Sequence, residues 1–258
     1  ELDRFNPSGM KHQSTKKSRL DVALVERGLA ETRAKAQAMI LAREVLVDGQ
    51  KVEKAGTAVA ADAVLQVAGP AMPYVSRGGV KLQGALEDFG VDVSGKVCLD
   101  VGSSTGGFVD CLLQRGAARV FAVDVSTDQL AWKLRQDARV VQIKMNARLL
   151  QRGDLPQPAE VITVDLSFIS TAKVLGALVP LTQAGAAWLI LVKPQFELER
   201  GDVGKGGIVR DEKLHRKAVE RVEAAAVELG LIVKGVKPSR LAGAEGNQEF
   251  FLHARSPA

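Results

Sequence analysis

The amino-acid sequence predicts an α/β protein: a small N-terminal αβ module followed by a doubly wound, mostly parallel sheet. Three observations carry this reading. From Val97 onward, short β-rich runs alternate with helical runs and are separated by ten or more residues, which is crossover spacing. One of those runs ends in the glycine-rich turn DVGSSTGGF, which leads straight into a helical pattern. Before that the texture differs, with two helical stripes and several short β runs compressed into residues 18–67, and residues 68–76 (AGPAMPYVS) carry two prolines and no helical period. The expected layout is therefore an αβ module over 18–67, a linker over 68–76 and a Rossmann-like sheet over 77–258.

In the module, Leu20, Ala23, Leu24 and Val25 form an apolar stripe that predicts a first helix ending at Gly28, where glycine takes a left-handed cap. Thr32 stands near the start of a second helix whose Ala36, Met39 and Ile40 share a face. Val45, Leu46 and Val47 then run into Asp48-Gly49, a hairpin-turn dipeptide, and residues 64–67 supply another strand. Arg19, Arg27, Arg33, Lys35, Arg43 and Lys51 recur through the module, with Lys16 and Lys17 just ahead of it. On charge alone, a solvated face and a binding surface are equal readings. Residues 1–9, ELDRFNPSG, differ in texture from the rest of the chain and contribute nothing to the fold expectation.

In the larger region, strands are expected at 97–101, 120–125, 140–143, 161–165 and 187–192, and a long amphipathic helix at 212–229. Residues 232–236 and 249–253 are expected to finish one edge as an antiparallel hairpin. The longest apolar stretch, 174–192, is broken by Pro180, Gln183 and glycines, so it reads as a helix followed by a short strand and not as a membrane span.

A net charge of +5 and a pI near 9.2 favour a polyanionic partner without deciding for one. Cys98 and Cys111 sit among apolar neighbours at a spacing that suggests neither a disulfide framework nor a metal site, and His12, His215 and His253 do not form a metal cluster. No charged, apolar and small-residue leader is evident, so cytoplasmic localisation without stable membrane association is expected. Nothing in the sequence fixes an oligomeric state.

The glycine turn is the richest segment. A strand reaches Asp100; Gly102, Ser103, Ser104, Thr105, Gly106 and Gly107 form the turn, and a helix begins near Phe108. Glycines there let a ligand lie against bare backbone at the carboxyl edge of the sheet. The next strand ends at Asp124, whose carboxylate can accept hydrogen bonds from two ribose hydroxyls. Asn146 and Arg148 follow the strand after that, where an adenine-contacting loop is expected. A dinucleotide site would carry G-x-G-x-x-G to seat a pyrophosphate. Here an acidic residue precedes the loop, which suits a cationic ligand better than a phosphate.

Lys81, Asp165, Lys193 and Glu249 all stand at element boundaries expected to converge on that same edge. Individually, each is an ordinary solvated group or half of a surface ion pair.

Resemblance adds to these readings. RLDVALVERGLAETRAKAQAMI with VLVDGQKV resembles the αL RNA-binding domain named after ribosomal small-subunit protein S-four. DVGSSTGGF resembles the cofactor motif of ribose methyltransferases related to FtsJ, and SRGGVKL, VDLSFIS, LVKPQFE and GNQEFF resemble the neighbourhoods of that family's Lys-Asp-Lys-Glu tetrad. Together, nearly the whole chain resembles the TlyA family, known as hemolysins and as 2′-O-methyltransferases of ribosomal RNA. The resemblance implies S-adenosylmethionine as cofactor, held by Asp100, residues 102–108, Asp124, Asn146 and Arg148. It implies Lys81, Asp165, Lys193 and Glu249 as the catalytic set, and ribosomal RNA or a ribosomal subunit as partner. Lys16, Lys17, Arg19, Arg33, Lys35 and Arg43 would contact phosphates. Lys193 would either take the proton of the ribose hydroxyl as a general base or stay charged and stabilise the developing alkoxide. Arg43 departs from a position often occupied by glycine and is expected to be strained if its φ is positive. The glycine-rich segment 197–211 is expected to be a loop ordering over RNA and cofactor. Two other readings stay open: a non-catalytic RNA-binding ribosome assembly factor, and a membrane-active hemolysin.

Overall fold

The computed structural model describes residues 17–67, 72–199, 201–243 and 245–258. The chain divides into two compact units, Glu1–Ala71 and Met72–Ala258.

In the first unit, strand β1 (Ser18–Arg19) enters α1 (Leu20–Glu26), and α2 (Arg33–Leu41) packs beside it. Four short strands come next: β2 (Val45–Val47), β3 (Gln50–Lys51), β4 (Ala58–Val59) and β5 (Leu65–Val67). The order β3-β2-β5 makes one small antiparallel sheet, and β1 pairs with β4, a pairing too short to leave a sequence signal. Leu20, Leu24, Ala36, Ile40 and Val45 are fully buried. Thr32 caps α2 by accepting from the Lys35 N–H at 3.2 Å. Asp48 and Gly49 take φ of 50° and 82°, as a tight hairpin turn requires, and Arg43 is at φ 60°, so the condition for strain at that position is met.

The cations of this unit divide into two groups. Asp21 is completely buried and accepts from Arg19 Nε and Nη2, both at 3.0 Å, from Gln37 Nε2 at 2.8 Å and from Arg33 Nε at 2.9 Å. Hydrogen bonds from Arg19 and Gln37 hold its carboxyl well below the usual carboxylate range. Arg27 is spent on the carbonyls of Ala60, Ala61 and Ala63, and Arg43 pairs with Glu53. Arg19 and Arg33, expected to face phosphates, are thus engaged with the module's own buried acid; Lys17 and Lys35 are exposed, and Lys16 lies outside the described residues.

The second unit is built on a seven-stranded sheet. Its elements are α3 (Arg77–Phe89), β6 (Val97–Val101), α4 (Gly107–Gln114), β7 (Arg119–Asp124), α5 (Trp132–Arg135), β8 (Val140–Lys144), β9 (Ala159–Val164), α6 (Leu175–Leu178), β10 (Thr182–Val192), α7 (Pro194–Glu197), α8 (Glu212–Glu228), β11 (Ile232–Pro238) and β12 (Phe250–Arg255). The strand order is β11-β12-β10-β9-β6-β7-β8; the five strands from β10 to β8 are parallel, and β12 is antiparallel to both neighbours, completing the expected edge hairpin.

Alternation along the strands feeds two cores. Cys98, Val120, Ala122, Leu189 and Leu191 meet Leu82 and Leu86 of α3, Phe108 and Leu112 of α4 and Leu134 of α5. Leu99, Phe121, Val123, Trp188 and Ile190 meet Leu175 and Leu178 of α6 and Val222 and Ala226 of α8 on the other face. That is the doubly wound arrangement. β6 and β9 are neighbours although two strands separate them in sequence, so the winding reverses between them. Crevices at such reversals are where ligands bind in open α/β sheets.

One helix drew no expectation from the sequence, and two expectations need correction. Helix α3 starts with Arg77-Gly78-Gly79, and each glycine weakens an isolated helix by about 1 kcal/mol, which hid it. A Cβ on Gly79 would lie 2.3 Å from Tyr74 Cγ, so tertiary packing selects the glycine there. Residues 72–76 are no free linker: Tyr74 is buried in the first core, and the Val75 N–H donates to Asp110 at 2.8 Å. The strand within 174–192 is not short but eleven residues long, with an irregular register between Thr182 and Ala187. No described helix is long and apolar enough to cross a membrane.

Candidate active site

The reversal between β6 and β9 places the turn after β6 against the segment after β9. The Asp165 N–H donates to Val101 O at 2.9 Å, and a Cβ on Gly102, whose φ is 89°, would lie 2.2 Å from Asp165 O. Gly102 is therefore obligatory for the close approach of two protein segments. Gly106 and Gly107 are likewise selected by packing: a Cβ there would strike Leu134 at 2.3 Å and Ser76 Oγ at 2.2 Å. This corrects the expectation that all these glycines clear space for a ligand.

A cavity of about 450 Å³ opens at this crevice, lined by Gly102, Ser104, Asp124, Val125, Gln129, Met145, Asn146, Asp165 and the segment 166–169, among others. A smaller annex of about 110 Å³ is lined by Ser76, Gly78, residues 102–105, Gly107, Phe108 and Asp165. Asp124 accepts from the Ser104 N–H at 2.8 Å and the Ser126 N–H at 3.0 Å, which fixes its carboxylate at the rim while each oxygen keeps a free lone pair. Asn146 lines the cavity with its Oδ1 taken by the Arg148 N–H at 3.0 Å; the Arg148 side chain is not among the lining groups. Asp100 does not reach the cavity either. It is fully buried, accepts from Thr163 Oγ1 at 2.6 Å and leaves Oδ2 without a partner; burial pushes its carboxyl up to about 7.

The four dispersed polar residues come together as two ion pairs. Lys81, on α3, places Nζ 2.5 Å from Glu249 Oε2, and Lys193, at the end of β10, places Nζ 2.5 Å from Asp165 Oδ1. Both lysines are 9% exposed. The second pair is electrostatic and not a directed hydrogen bond, since Asp165 Oδ1 accepts none; the hydrogen bond from Lys193 Nζ goes to Ser167 Oγ at 3.0 Å. Lys81, Lys193 and Glu249 line a cavity of about 370 Å³ together with Gln195, Phe196, Val203, Gly207 and Glu245. Ser167 and Phe168 line both this cavity and the one under the glycine turn, so the two share a wall.

Several groups here carried no sequence signal. Phe168 is 92% exposed at φ 66° and tilts against Phe196 at 5.4 Å. Met145 lies just past β8, where apolar residues are ordinarily core. Asn247 is buried; its Oδ1 accepts from the Val209 N–H at 2.9 Å and its Nδ2 donates to Gly207 O at 2.9 Å, which anchors the segment 207–209 beside the lysines.

The chain is similar to several known proteins over most of its length. The chain is 46% identical over 243 residues to the 16S/23S rRNA (cytidine-2′-O)-methyltransferase TlyA of Mycobacterium tuberculosis, covering 93% of this chain and 91% of that protein. It is 41% identical over 240 residues to Hemolysin A of Brachyspira hyodysenteriae, covering 91% and 98%. A solved structure of a hemolysin-designated protein from Streptococcus thermophilus matches with a TM-score of 0.78 at 40% identity, over 95% of this chain and 90% of that one. Residues 18–65 match the S4 domain. Residues 74–256, which carry both cavities and both lysine–carboxylate pairs, match the FtsJ-like methyltransferase model, and the chain belongs to that family.

Proposed function

We propose that this protein is an S-adenosylmethionine-dependent 2′-O-methyltransferase acting on ribose in ribosomal RNA, with its S4 domain as an RNA-docking module. The observation that carries this is the shared wall. Two lysines, each paired with a carboxylate, border one cavity, and Ser167 and Phe168 also line a second cavity of about 450 Å³ at the β6/β9 reversal with Asp124 at its rim.

The lining chemistry fits the cofactor. The described residues around the larger cavity and its annex include Asp124 and Asp165 but no lysine or arginine, which disfavours a pyrophosphate and suits a sulfonium and an amine. Asp124 would take the ribose hydroxyls, while Met145, Asn146 and Val125 would border the base. When bound, S-adenosylmethionine supplies an already activated methyl group.

The chain's own task is then to align the acceptor hydroxyl and accommodate the charge that develops as its proton leaves. Lys193, held between Asp165 and Ser167, faces that oxygen and either takes its proton as a base or, when itself protonated, stabilises the alkoxide while the proton passes to solvent water. Lys81 and Glu249 form the second wall of the acceptor cavity, which Val203 and Gly207 border, Gly207 being held by Asn247. Lys35, Lys51 and Lys54 of the S4 domain, with Lys17 just ahead of it, are exposed cations available to phosphates, in a cytoplasmic setting where the ribosome is the partner.

Incubation with isotope-labelled S-adenosylmethionine and purified ribosomal subunits, and then mapping of blocked ribose positions, tests the proposal. Label in one ribose of ribosomal RNA is the expected result. Cofactor and RNA binding without transfer would instead establish an assembly factor, and leakage of liposomes at comparable concentrations would favour the hemolysin reading.

A further inference from the structure

We propose that Glu197 is a positioning residue, a buried brace that holds the segment carrying Asp165 and Ser167 against the turn that presents Lys193; this rests on the methyl-transfer reading of the site. Glu197 is 1% exposed and lines neither cavity. It ends the single turn α7, for which Lys193 is the N-cap, so a rigid spacer joins the two residues. The turn is closed by the Leu198 N–H on Pro194 O at 3.1 Å and tied to α8 by Arg221 Nη1 on Glu197 O at 2.7 Å.

The facing segment, 165–171, is joined to this turn at three places. At the reacting end, Lys193 meets Asp165 and Ser167 at 2.5 and 3.0 Å. In the middle, Phe196 tilts against Phe168. At the far end, Glu197 Oε2 accepts from Ser170 Oγ at 2.5 Å and Oε1 accepts from the Thr171 N–H at 2.6 Å. Ser170 and Thr171 are themselves buried.

Between the two ends, Phe168 has a left-handed backbone that a phenylalanine disfavours and a side chain that gains nothing from burial. Such a conformation persists only where its surroundings impose it, so the segment's shape comes from its anchored ends. A carboxylate is well suited to the far anchor: it is acceptor-only, both donors come from the opposing segment, and withdrawal of that segment would leave a buried charge unsatisfied. Glu197 therefore acts on the reaction through Ser167, Asp165 and Lys193 and touches no reacting atom.

The test is single-turnover methyl transfer to ribosomal RNA, with cofactor affinity by calorimetry and melting temperature measured on the same preparations. Glu197→Ala should lower the transfer rate by about tenfold to a hundredfold at saturating cofactor, the scale of a small misplacement of reacting groups; cofactor affinity is measured alongside because the braced segment also lines the cofactor cavity. Glu197→Gln should recover most of the rate, because its Oε1 still accepts from Thr171 and its amide donates to Ser170 Oγ. The discriminating readout is the pair Glu197→Ala and Ser167→Ala: acting through one lysine, they should cost less together than the product of their separate losses. Multiplicative losses, or wild-type turnover in Glu197→Ala, would overturn the proposal. Should Glu197→Ala fail to fold, Ser170→Ala removes one donor alone and must lower the rate without raising KM for RNA; an unchanged rate overturns the proposal equally. A wild-type protein that transfers no methyl group sinks the methyl-transfer reading and this inference with it, whereas an active wild type beside an equally active Glu197→Ala sinks the inference alone.

Discussion

Replacing Lys193 by alanine removes an ammonium that sits 2.5 Å from Asp165 Oδ1, donates to Ser167 Oγ at 3.0 Å and is 9% exposed. At an effective dielectric of about 20, two unit charges about 4 Å apart interact by about 4 kcal/mol. An acceptor oxygen carrying about half a charge in the transition state would forfeit about 2 kcal/mol, or about 30-fold in rate. Lost alignment of Asp165 and Ser167 adds to this, so turnover should fall by about two to three orders of magnitude, the scale of removing an oxyanion donor. Affinity for S-adenosylmethionine should change little, because Asp124 ends β7 and Gly102 lies in the turn after β6, both away from β10. Arginine separates the two possible roles. Lys193→Arg keeps the charge but cannot deprotonate near neutrality, so charge stabilisation predicts partial rescue, with turnover between those of alanine and wild type. The assay is single-turnover transfer to ribosomal RNA, with cofactor affinity by calorimetry. Near-normal turnover in Lys193→Ala would refute the catalytic reading of this lysine, and an arginine variant no better than alanine would refute the charge role in favour of a general base.

Asp124→Ala should abolish calorimetrically detectable S-adenosylmethionine binding, because it removes the diol acceptor and frees the Ser104 N–H; unchanged affinity, or a stronger response to NAD, would end that assignment. Lys35 is exposed and its side chain has no partner among the described residues, so Lys35→Ala should flatten the salt dependence of RNA binding by about 0.7–0.9 in log–log slope, with an unchanged melting temperature. Arg33→Ala should instead lower the melting temperature, since it strips a donor from buried Asp21; the reverse pattern in the pair would mean the two cations have been assigned the wrong way round. Burial raises the Asp100 carboxyl to about 7, from about 3.9 in an unfolded chain. The folded state therefore binds the extra proton between about pH 4 and 7, and stability falls as pH rises across that window. Asp100→Asn should accordingly raise the melting temperature more at pH 8 than at pH 5, and an equal effect at both would contradict a buried carboxylate of this kind.

The parts of the site that were legible are those written in consecutive residues. A strand, glycine turn and helix, and then a strand ending in Asp124, are readable because the chain passes through every one of those positions within a single βαβ unit. The tetrad was legible in another way: Lys81, Asp165, Lys193 and Glu249 each sit in a short string that resembles a family pattern, although nothing in their spacing foretold that they would pair as Lys81 with Glu249 and Lys193 with Asp165. Glu197 was not legible, because its partners lie 26 and 27 residues away and a glutamate ending a short helical turn is ordinarily solvated.

By itself, the sequence determined what depends on local chemistry: the periodicities that make helices and strands, the Asp48-Gly49 turn and the alternation that demands crossovers. The tertiary structure decided which of several equivalent groups are free to act. Arg19 and Arg33 look no different from Lys35 as cations, yet burial of Asp21 claims both arginines because an unpaired carboxylate in that core would cost several kcal/mol. Gly106 and Gly107 look like ligand clearance, yet Leu134 and Ser76 occupy the space a side chain would need. Asp100 looks like a cofactor contact, yet the sheet encloses it beside Thr163. For Asp21 and Asp100 the deciding quantity is solvent exposure, and for the glycines it is the space left by neighbouring side chains. Both are properties of the packed chain, set by residues distant in sequence, and exposure settles whether a polar group must be satisfied within the protein or remains available to a ligand.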